Sequence, residues 1–179
     1  MFCGVQGAFA CRLLHELMNE YIEDMKPTAL LKLHRVPPAW ILPCVLLTWV
    51  MDTYLPIYEW LAAPWSYIAA AGLWIAALTL TGAAARNLAR HDTSLYPNGE
   101  STTLVTDGLY SYTRNPMYLG MALLVLGAAV FFGSVGALVG VIAFCLAIQK
   151  LFIIPEEERM HRWFGDDYLA YRKQVRRWV

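Results

Sequence analysis

The chain has 179 residues, 58% of them hydrophobic and 16% charged, where an ordinary soluble domain carries about 25% charged residues. With 14 Lys and Arg balancing 14 Asp and Glu and a mean hydropathy of +0.42, the composition excludes a disordered chain. It also disfavours a water-soluble domain and gives no global basic field for nucleic acid. Cys3, Cys11, Cys44 and Cys145 show no C-x-x-C spacing, so neither a disulfide framework nor a metal site is expected, and they read as reduced packing residues.

Residues 1–34 read as an N-terminal extension. Leu13, Leu14, Leu17, Met18 and Tyr21 recur at helical spacing and suggest a surface helix. The other reading starts the natural protein at Met25-Lys26, with a poorly ordered segment before it. A signal peptide is not expected, because no cation precedes the short apolar stretch and Glu16, Glu20, Glu23 and Asp24 follow it.

Residues 35–179 read as a single membrane domain. An apolar run from Ala39 to Met51, then a belt of Trp49, Tyr54, Tyr58, Trp60, Trp65 and Tyr67, places a first span near 38–58. No charge occurs between Glu59 and Arg86, which gives a second span near 65–85 and closes a helical hairpin. The 35 uncharged residues between Arg114 and Lys150 would make one helix of about 52 Å, too long for a core of about 30 Å. The chain must fold back at Gly133-Ser134-Val135-Gly136, giving spans near 117–132 and 135–153. The fold class is therefore all-α integral membrane, four transmembrane helices arranged as two hairpins. Gly72, Gly82 and Ala83 to Ala85 are expected to let helices approach closely, and Asp52 reads as a snorkelling or capping carboxylate.

Cations fall before span one, between spans two and three, and from Lys150 onward, while the loops at 59–64 and 133–134 carry none. The positive-inside rule then puts both termini and the 86–116 loop in the cytoplasm, with the chain crossing the membrane several times.

Two polar clusters border the last hairpin. The first contains Gly108, Tyr110, Arg114, Asn115, Pro116, Tyr118 and Gly120; Gly108 permits a left-handed turn, Pro116 suits a first helical turn and Gly120 allows close backbone approach. The second runs from Glu156-Glu157 through Phe164-Gly165 to Tyr168 and Tyr171. Adjacent carboxylates at the end of a span repel and call for cations or a positive ligand. After Gly165, Asp166 can cap a short interfacial helix on the cytoplasmic face, with Tyr168, Tyr171, Val175 and Trp178 on one side and Arg172, Lys173, Arg176 and Arg177 on the other. His34, His91 and His161 lie outside both clusters and read as solvated or interfacial.

Gly108-x-Tyr110-x-x-x-Arg114-Asn115-Pro116-x-Tyr118-x-Gly120, followed by Glu156-Glu157-x-x-Met160-x-x-x-Phe164-Gly165-x-x-Tyr168-x-x-Tyr171-x-x-x-Val175, resembles the isoprenylcysteine carboxyl methyltransferase family and its phospholipid methyltransferase relatives. The resemblance covers roughly residues 38–178. It implies an S-adenosylmethionine-dependent methyltransferase embedded in the membrane, with the cofactor held on the cytoplasmic side and a lipophilic or small acceptor: a prenylated cysteine carboxylate, a phospholipid amine or a thiol.

Carried over position by position, Gly108, Tyr110, Arg114, Asn115, Pro116 and Tyr118 fall in the loop element that binds the cofactor. Glu156 and Glu157 match the paired glutamates, with the choice between them open. Phe164, Gly165, Tyr168 and Tyr171 match the tail that closes the pocket. Asn115 stands where many relatives have histidine, and Gln174 where an arginine often precedes the valine, which puts in doubt a tail arginine for an anionic substrate. No residue is assigned to catalysis, and the oligomeric state is open. The residue types suit the chemistry, since displacement at a sulfonium needs alignment and dehydration more than acid or base. Carboxylates can hold an ammonium or ribose hydroxyls, and aromatic faces attract a sulfonium. Glu157→Ala and Asn115→Ala are expected to weaken cofactor binding with little loss of folded protein. The alternatives are an NADPH-dependent sterol-type reductase relative, for which the 86–116 loop has few phosphate-binding arginines, and a membrane scaffold without cofactor.

Overall fold

The computed structural model describes residues 36–91 and 103–179, so the expectations for residues 1–34, Cys3 and Cys11 included, lie outside the described residues. The chain divides into two units, Met1–Ala39 and Trp40–Val179, and the helices below make up the second. The described residues form helices and turns, with two isolated bridges between extended residues, Glu59 with Ser134 and Thr113 with Arg176.

Helix α1 is Ile41–Tyr54, 14 residues or about 21 Å, shorter at both ends than the expected span. Pro37 and Pro38 hold back its start, and Pro56 keeps Leu55 out of helical geometry, with φ −136° and ψ 58°. Helix α2, Trp65–Arg90, has 26 residues and is about 39 Å long. It runs past the expected end at 85 because Arg86, Asn87 and Leu88 continue the turn pattern without a breaker. After a 3-10 turn at Gly108–Ser111 comes α3, Pro116–Phe132, started by Pro116 and ended by Gly133 at φ 88°.

Helix α4, Leu138–Ile148, does not stop at the expected end of a span. It passes through a π-helical turn, Gln149–Ile153, into α5, Ile154–Gln174. The π turn has a local cause. Pro155 lacks an N–H and its ring would strike the carbonyl of Leu151, so the backbone widens until the Ile154 N–H reaches back to Gln149 O. The continuous element Leu138–Gln174, 37 residues, and α2 are both long and apolar enough to cross a membrane. Trp65, Ile68, Ile75 and Leu78 of α2 are exposed, as side chains facing lipid would be.

The most extensive helix contact is that of α2 with α3. Ala70, Ala77 and Ala84, seven residues apart, are fully buried and make the smooth stripe of α2. Gly120 and Gly127 face it, where an added Cβ would strike Thr81 and Trp74; the Trp74 indole donates to Leu124 O at 3.1 Å. The sequence expectation holds for Ala84, which lies in the stripe, and is corrected for three others: Gly72 and Gly82 have nothing within 4 Å of a built Cβ and Ala83 is exposed. The period of burial, rather than the presence of glycine, selects the contact. On the other side, α1 meets α4 where Gly140 lies against Thr48 and Cys44 O. Val125, Phe144, Ile148 and Ile153 fill the centre, with Cys44 among them and Cys145 against them, both free thiols.

The two loops without cations meet at one end of the bundle. Trp60 N–H donates to Gly133 O at 3.0 Å and Val135 N–H to Tyr58 O at 2.9 Å. The start of α3, the end of α2 and the start of α5 gather at the other end.

Candidate functional site

At that second end, Asn87 of α2 donates from Nδ2 to Asp107 O at 2.9 Å, anchoring the approach to Gly108. Gly108 adopts φ +58°, a backbone conformation that favours glycine, and a Cβ there would push against the Asn87 amide at 2.7 Å. The turn that follows presents Tyr110, whose carbonyl accepts the Tyr171 hydroxyl at 2.6 Å.

Residues 113–115 are joined to the C-terminal segment. Arg114 N–H donates to Arg176 O at 2.9 Å, Asn115 Nδ2 to Arg177 O at 2.9 Å, and Thr113 Oγ1 to Arg177 O at 3.2 Å. The Arg114 guanidinium reaches Arg172 O and Val175 O from NH1, each at 3.0 Å, and Glu157 Oε1 from NH2 at 2.8 Å. Arg177 then closes on Glu157 with two bonds, Nε to Oε1 at 3.0 Å and NH2 to Oε2 at 2.7 Å.

Glu157 is thus the knot of a buried Arg114–Glu157–Arg177 clasp. Burial alone would push its carboxyl up, but the hydrogen bonds from Arg177 and Arg114 outweigh it and hold the group below the usual carboxylate range. Glu157 is 8% exposed and Asn115 also 8%. Both knit the tail to the pre-α3 loop, which corrects the expectation that either is replaceable with little loss of folded protein.

Glu156 is differently placed. Its Oε2 accepts the Tyr118 hydroxyl at 2.9 Å. Burial pushes its carboxyl up, with Glu157 adding to the effect and the Tyr118 bond and the Arg159 charge opposing it. The neighbouring phenols are poor bases or nucleophiles. Burial raises Tyr110 and Tyr171, and Tyr168 is pushed up to about 12, so all three stay neutral.

These groups line one open pocket. From the first motif Tyr110, Arg114 and Asn115 line it; from the second, Glu156, Glu157, Tyr168 and Tyr171 do. Gly108 and Pro116 shape the backbone beside it, Tyr118 stands behind Glu156, and Phe164 packs against the buried cluster of Tyr168, Tyr171 and Val175. That cluster departs from the interfacial-helix expectation. Gly165 kinks α5 with φ 51° and ψ −123°, which turns Tyr168 and Tyr171 onto Leu104 and Met160 inside the protein rather than toward lipid. Trp178 lies beyond the helix and donates to Gln149 Oε1 at 3.0 Å.

Several lining residues were not picked out from sequence: Leu88, Thr103, Leu104, Val105 and Met160. Met160 falls within the quoted pattern. The others are ordinary apolar or hydroxyl residues without a distinguishing spacing. Arg177, one of several arginines in a basic tail, had no signal to separate it from its neighbours. Among the described residues no group of three or more His, Cys, Asp and Glu could hold a metal ion. His91 lies beside Asp107, Nε2 to Oδ2 3.6 Å, and does not line the pocket.

Comparison with known proteins bears on the same region. The family model described as phospholipid methyltransferase matches residues 65–167. A protein-S-isoprenylcysteine O-methyltransferase of Schizosaccharomyces pombe is 40% identical over 75 residues, covering 40% of this chain and 30% of that protein. One of Xenopus laevis is 38% identical over 79 residues, covering 42% of this chain and 26% of its own length. The matched stretch is therefore about a third or less of either relative. An uncharacterised protein of Haemophilus influenzae matches along all of its own length, 40% identical over 63 residues and 35% of this chain. A solved structure of a eukaryotic intramembrane Ras methyltransferase, an isoprenylcysteine carboxyl methyltransferase, superposes with a TM-score of 0.56 at 20% identity, covering 78% of this chain and 50% of that one. The likeness in structure is one of fold.

Proposed function

The chain belongs to the phospholipid methyltransferase family, and on that premise we propose that it is a membrane-embedded methyltransferase that takes S-adenosylmethionine as methyl donor and a lipophilic or small molecule as acceptor. The observation that carries the reading is the convergence of both motif clusters on one pocket holding Glu156 and Arg114. The donor's amino-acid end bears an ammonium and a carboxylate, and the pocket offers a match to each. Glu156 is a half-buried carboxylate with one oxygen bonded by Tyr118. Arg114 keeps a buried Nε–H with no hydrogen-bond partner among the described residues, a donor that would be satisfied by a ligand oxygen.

When bound, S-adenosylmethionine supplies a methyl group activated on a sulfonium. The neutral rings of Tyr110, Tyr168 and Tyr171 would attract such a cation and, with Leu88, Leu104 and Met160, exclude water from it. Arg114, Asn115 and the clasp hold the walls in register. Gly108, Pro116, Tyr118 and Phe164 act behind them as supports. The four helical spans and the cytoplasmic placement of both termini and the pocket belong to this proposal. They are supported by the meeting of the two cation-free loops at the end opposite the pocket.

Thermal unfolding of the purified protein with added S-adenosylmethionine, S-adenosylhomocysteine or NADPH tests the reading. Ligand at about 100 times its dissociation constant should add roughly 2.7 kcal/mol of stability. Stabilisation by the first two and not by NADPH is expected. Stabilisation by NADPH alone would refute it in favour of the reductase.

A further inference from the structure

The end of the chain reaches past the pocket to the turn that precedes α5. Arg177 closes on Glu157 with Nε and NH2, and the next residue, Trp178, donates its indole N–H to Gln149 Oε1 at 3.0 Å. Trp178 also packs against the core cluster that includes Phe152 and Ile153 of the π turn. Consecutive tail residues thus grip the chain on both sides of the π turn, at Gln149 where it begins and at Glu157 beyond Pro155. Neither Gln149 nor Trp178 lines the pocket.

The π turn decides which way each glutamate points. Its bond from Ile154 N–H to Gln149 O spans five residues where an α-helical bond spans four, so it takes up one residue more. At about 100° per residue, an unbroken α-helix returns to the direction of Gln149 after about seven residues, at Glu156. The extra residue hands that direction to Glu157. Because the two glutamates are adjacent, the two registers are chemically alike, and either carboxylate can close on Arg114 and Arg177. Pro155 excludes an ideal α-helical turn, but a simple kink relieves it as well, so the proline alone does not choose. In the register observed, Glu157 takes both arginines, and Glu156 is left to Tyr118 and the pocket.

We propose that the Trp178–Gln149 bond is the register lock of the donor site, which makes Gln149 and Trp178 positioning residues: by holding the π turn they keep Glu157 on the arginines and present Glu156 to the methyl donor. The proposal rests on the methyltransferase reading and deepens it. Coupling of this kind is reciprocal, so the donor must in turn steady the π turn, although none of residues 149–153 lines the pocket.

The test uses the full chain in detergent, with S-adenosylhomocysteine as the probe and calorimetry as the readout. Trp178→Phe removes the donor and keeps a ring, Gln149→Met removes the acceptor and keeps the length, and Gln149→Glu keeps an oxygen in place. The first two should each weaken binding about fivefold, within the range of one neutral hydrogen bond, while Gln149→Glu stays within about twofold of wild type. The double variant should bind no worse than either single one, because both changes remove the same bond. Register itself is read through the glutamate. Glu156→Gln should weaken the probe about tenfold or more in wild type, as loss of a charge-assisted bond does. In the Trp178→Phe background that loss should shrink to about threefold or less, since part of the molecules then present Glu157 in its place. A tail that only stabilises the fold would weaken binding and leave the Glu156→Gln loss unchanged, which overturns the proposal, as does full affinity in both bond-breaking variants. Should those variants fail to fold, hydrogen exchange on wild type decides: the probe should slow the amides of residues 149–154, and unchanged exchange there overturns the proposal. Each of these adverse results leaves the donor site standing. Failure of wild type to bind the probe would overturn the methyltransferase reading and the proposal with it.

Discussion

Glu157→Ala should cost this protein far more stability than an exposed carboxylate would. The Glu157 side chain is 10% exposed and that of Arg114 9%, and breaking such a buried pair by removing one partner costs about 3–5 kcal/mol. Arg114 keeps its bonds to Arg172 O and Val175 O, which compensates part of its charge and sets the expectation near the lower figure, about 3 kcal/mol. For a chain of this size that is a fall in melting temperature of about 6–12 °C, at roughly 2–4 °C per kcal/mol.

Arg177→Ala should cost less. Arg177 is 29% exposed on its side chain and its loss leaves Glu157 paired with Arg114, so about 1.5 kcal/mol is expected, the lower end for hydrogen bonds to charged groups. Thermal unfolding in detergent of both single variants and the double variant measures these values. The double variant should lose less than the sum, because the two residues share one interaction.

The pH dependence follows from the same geometry. Glu157 is held below its ordinary value of about 4.3, so its stabilisation is fully present above that pH and drains away as the pH falls through the lower native value. In Glu157→Ala that acid limb should flatten. A variant within about 0.5 kcal/mol of wild type, the range of surface substitutions, with an unchanged acid limb, would refute the clasp as a structural element.

Glu156 should report ligand charge through protons. Its carboxyl is raised by burial, so the free site favours the proton-bound form more than an exposed glutamate does, and a cationic ligand favours the carboxylate. Binding should therefore expel a proton and tighten with rising pH, seen as a calorimetric enthalpy that varies with buffer ionisation heat and that ceases to vary in Glu156→Gln. Gly120→Ala should destabilise by about 1–3 kcal/mol through its clash with Thr81, whereas Gly72→Ala, in open space, should be neutral or stabilise by up to about 1 kcal/mol; equal unfolding temperatures for the two variants would contradict the packing of α2 on α3. Cysteines placed at Ser94 and Gln174 of a chain freed of its own cysteines should react with an impermeant thiol reagent only after cells are opened, and one at Ala63 in intact cells. Labelling of Ser94 and Gln174 from opposite sides would sink the four-span topology.

Much of the helical layout was legible because lipid-facing chain is written in composition: the uncharged runs give the start of α2 and both ends of α3 to within a residue, and Gly133 marks the turn. What sequence misjudged was decided by contacts across the fold. The last span is expected to end near 153, yet a π turn absorbs Pro155 and α4 runs on into α5. Gly72 and Gly82 read as packing surface, yet the buried stripe is the alanine series at seven-residue spacing. At the site, the two clusters were readable as residue types that suit a cationic ligand, but the division of labour between adjacent glutamates was not. Neighbours on a helix differ by about 100° in direction, and that rotation puts Glu157 on two arginines and Glu156 on Tyr118. Arg177 was hidden for the same reason, since its partner lies twenty residues upstream.

The central claim, that one pocket built from the pre-α3 loop and the two halves of α5 receives the methyl donor, is met most directly by photocrosslinking methyl-labelled S-adenosylmethionine to the purified protein and mapping the labelled peptides. Label confined to peptides from the end of α2 around Leu88, from 103–118 and from 154–171, and abolished by excess S-adenosylhomocysteine, is the predicted result. Competable label on the loops at 55–64 or 133–137, which pair with each other at the opposite end of the bundle, would contradict it.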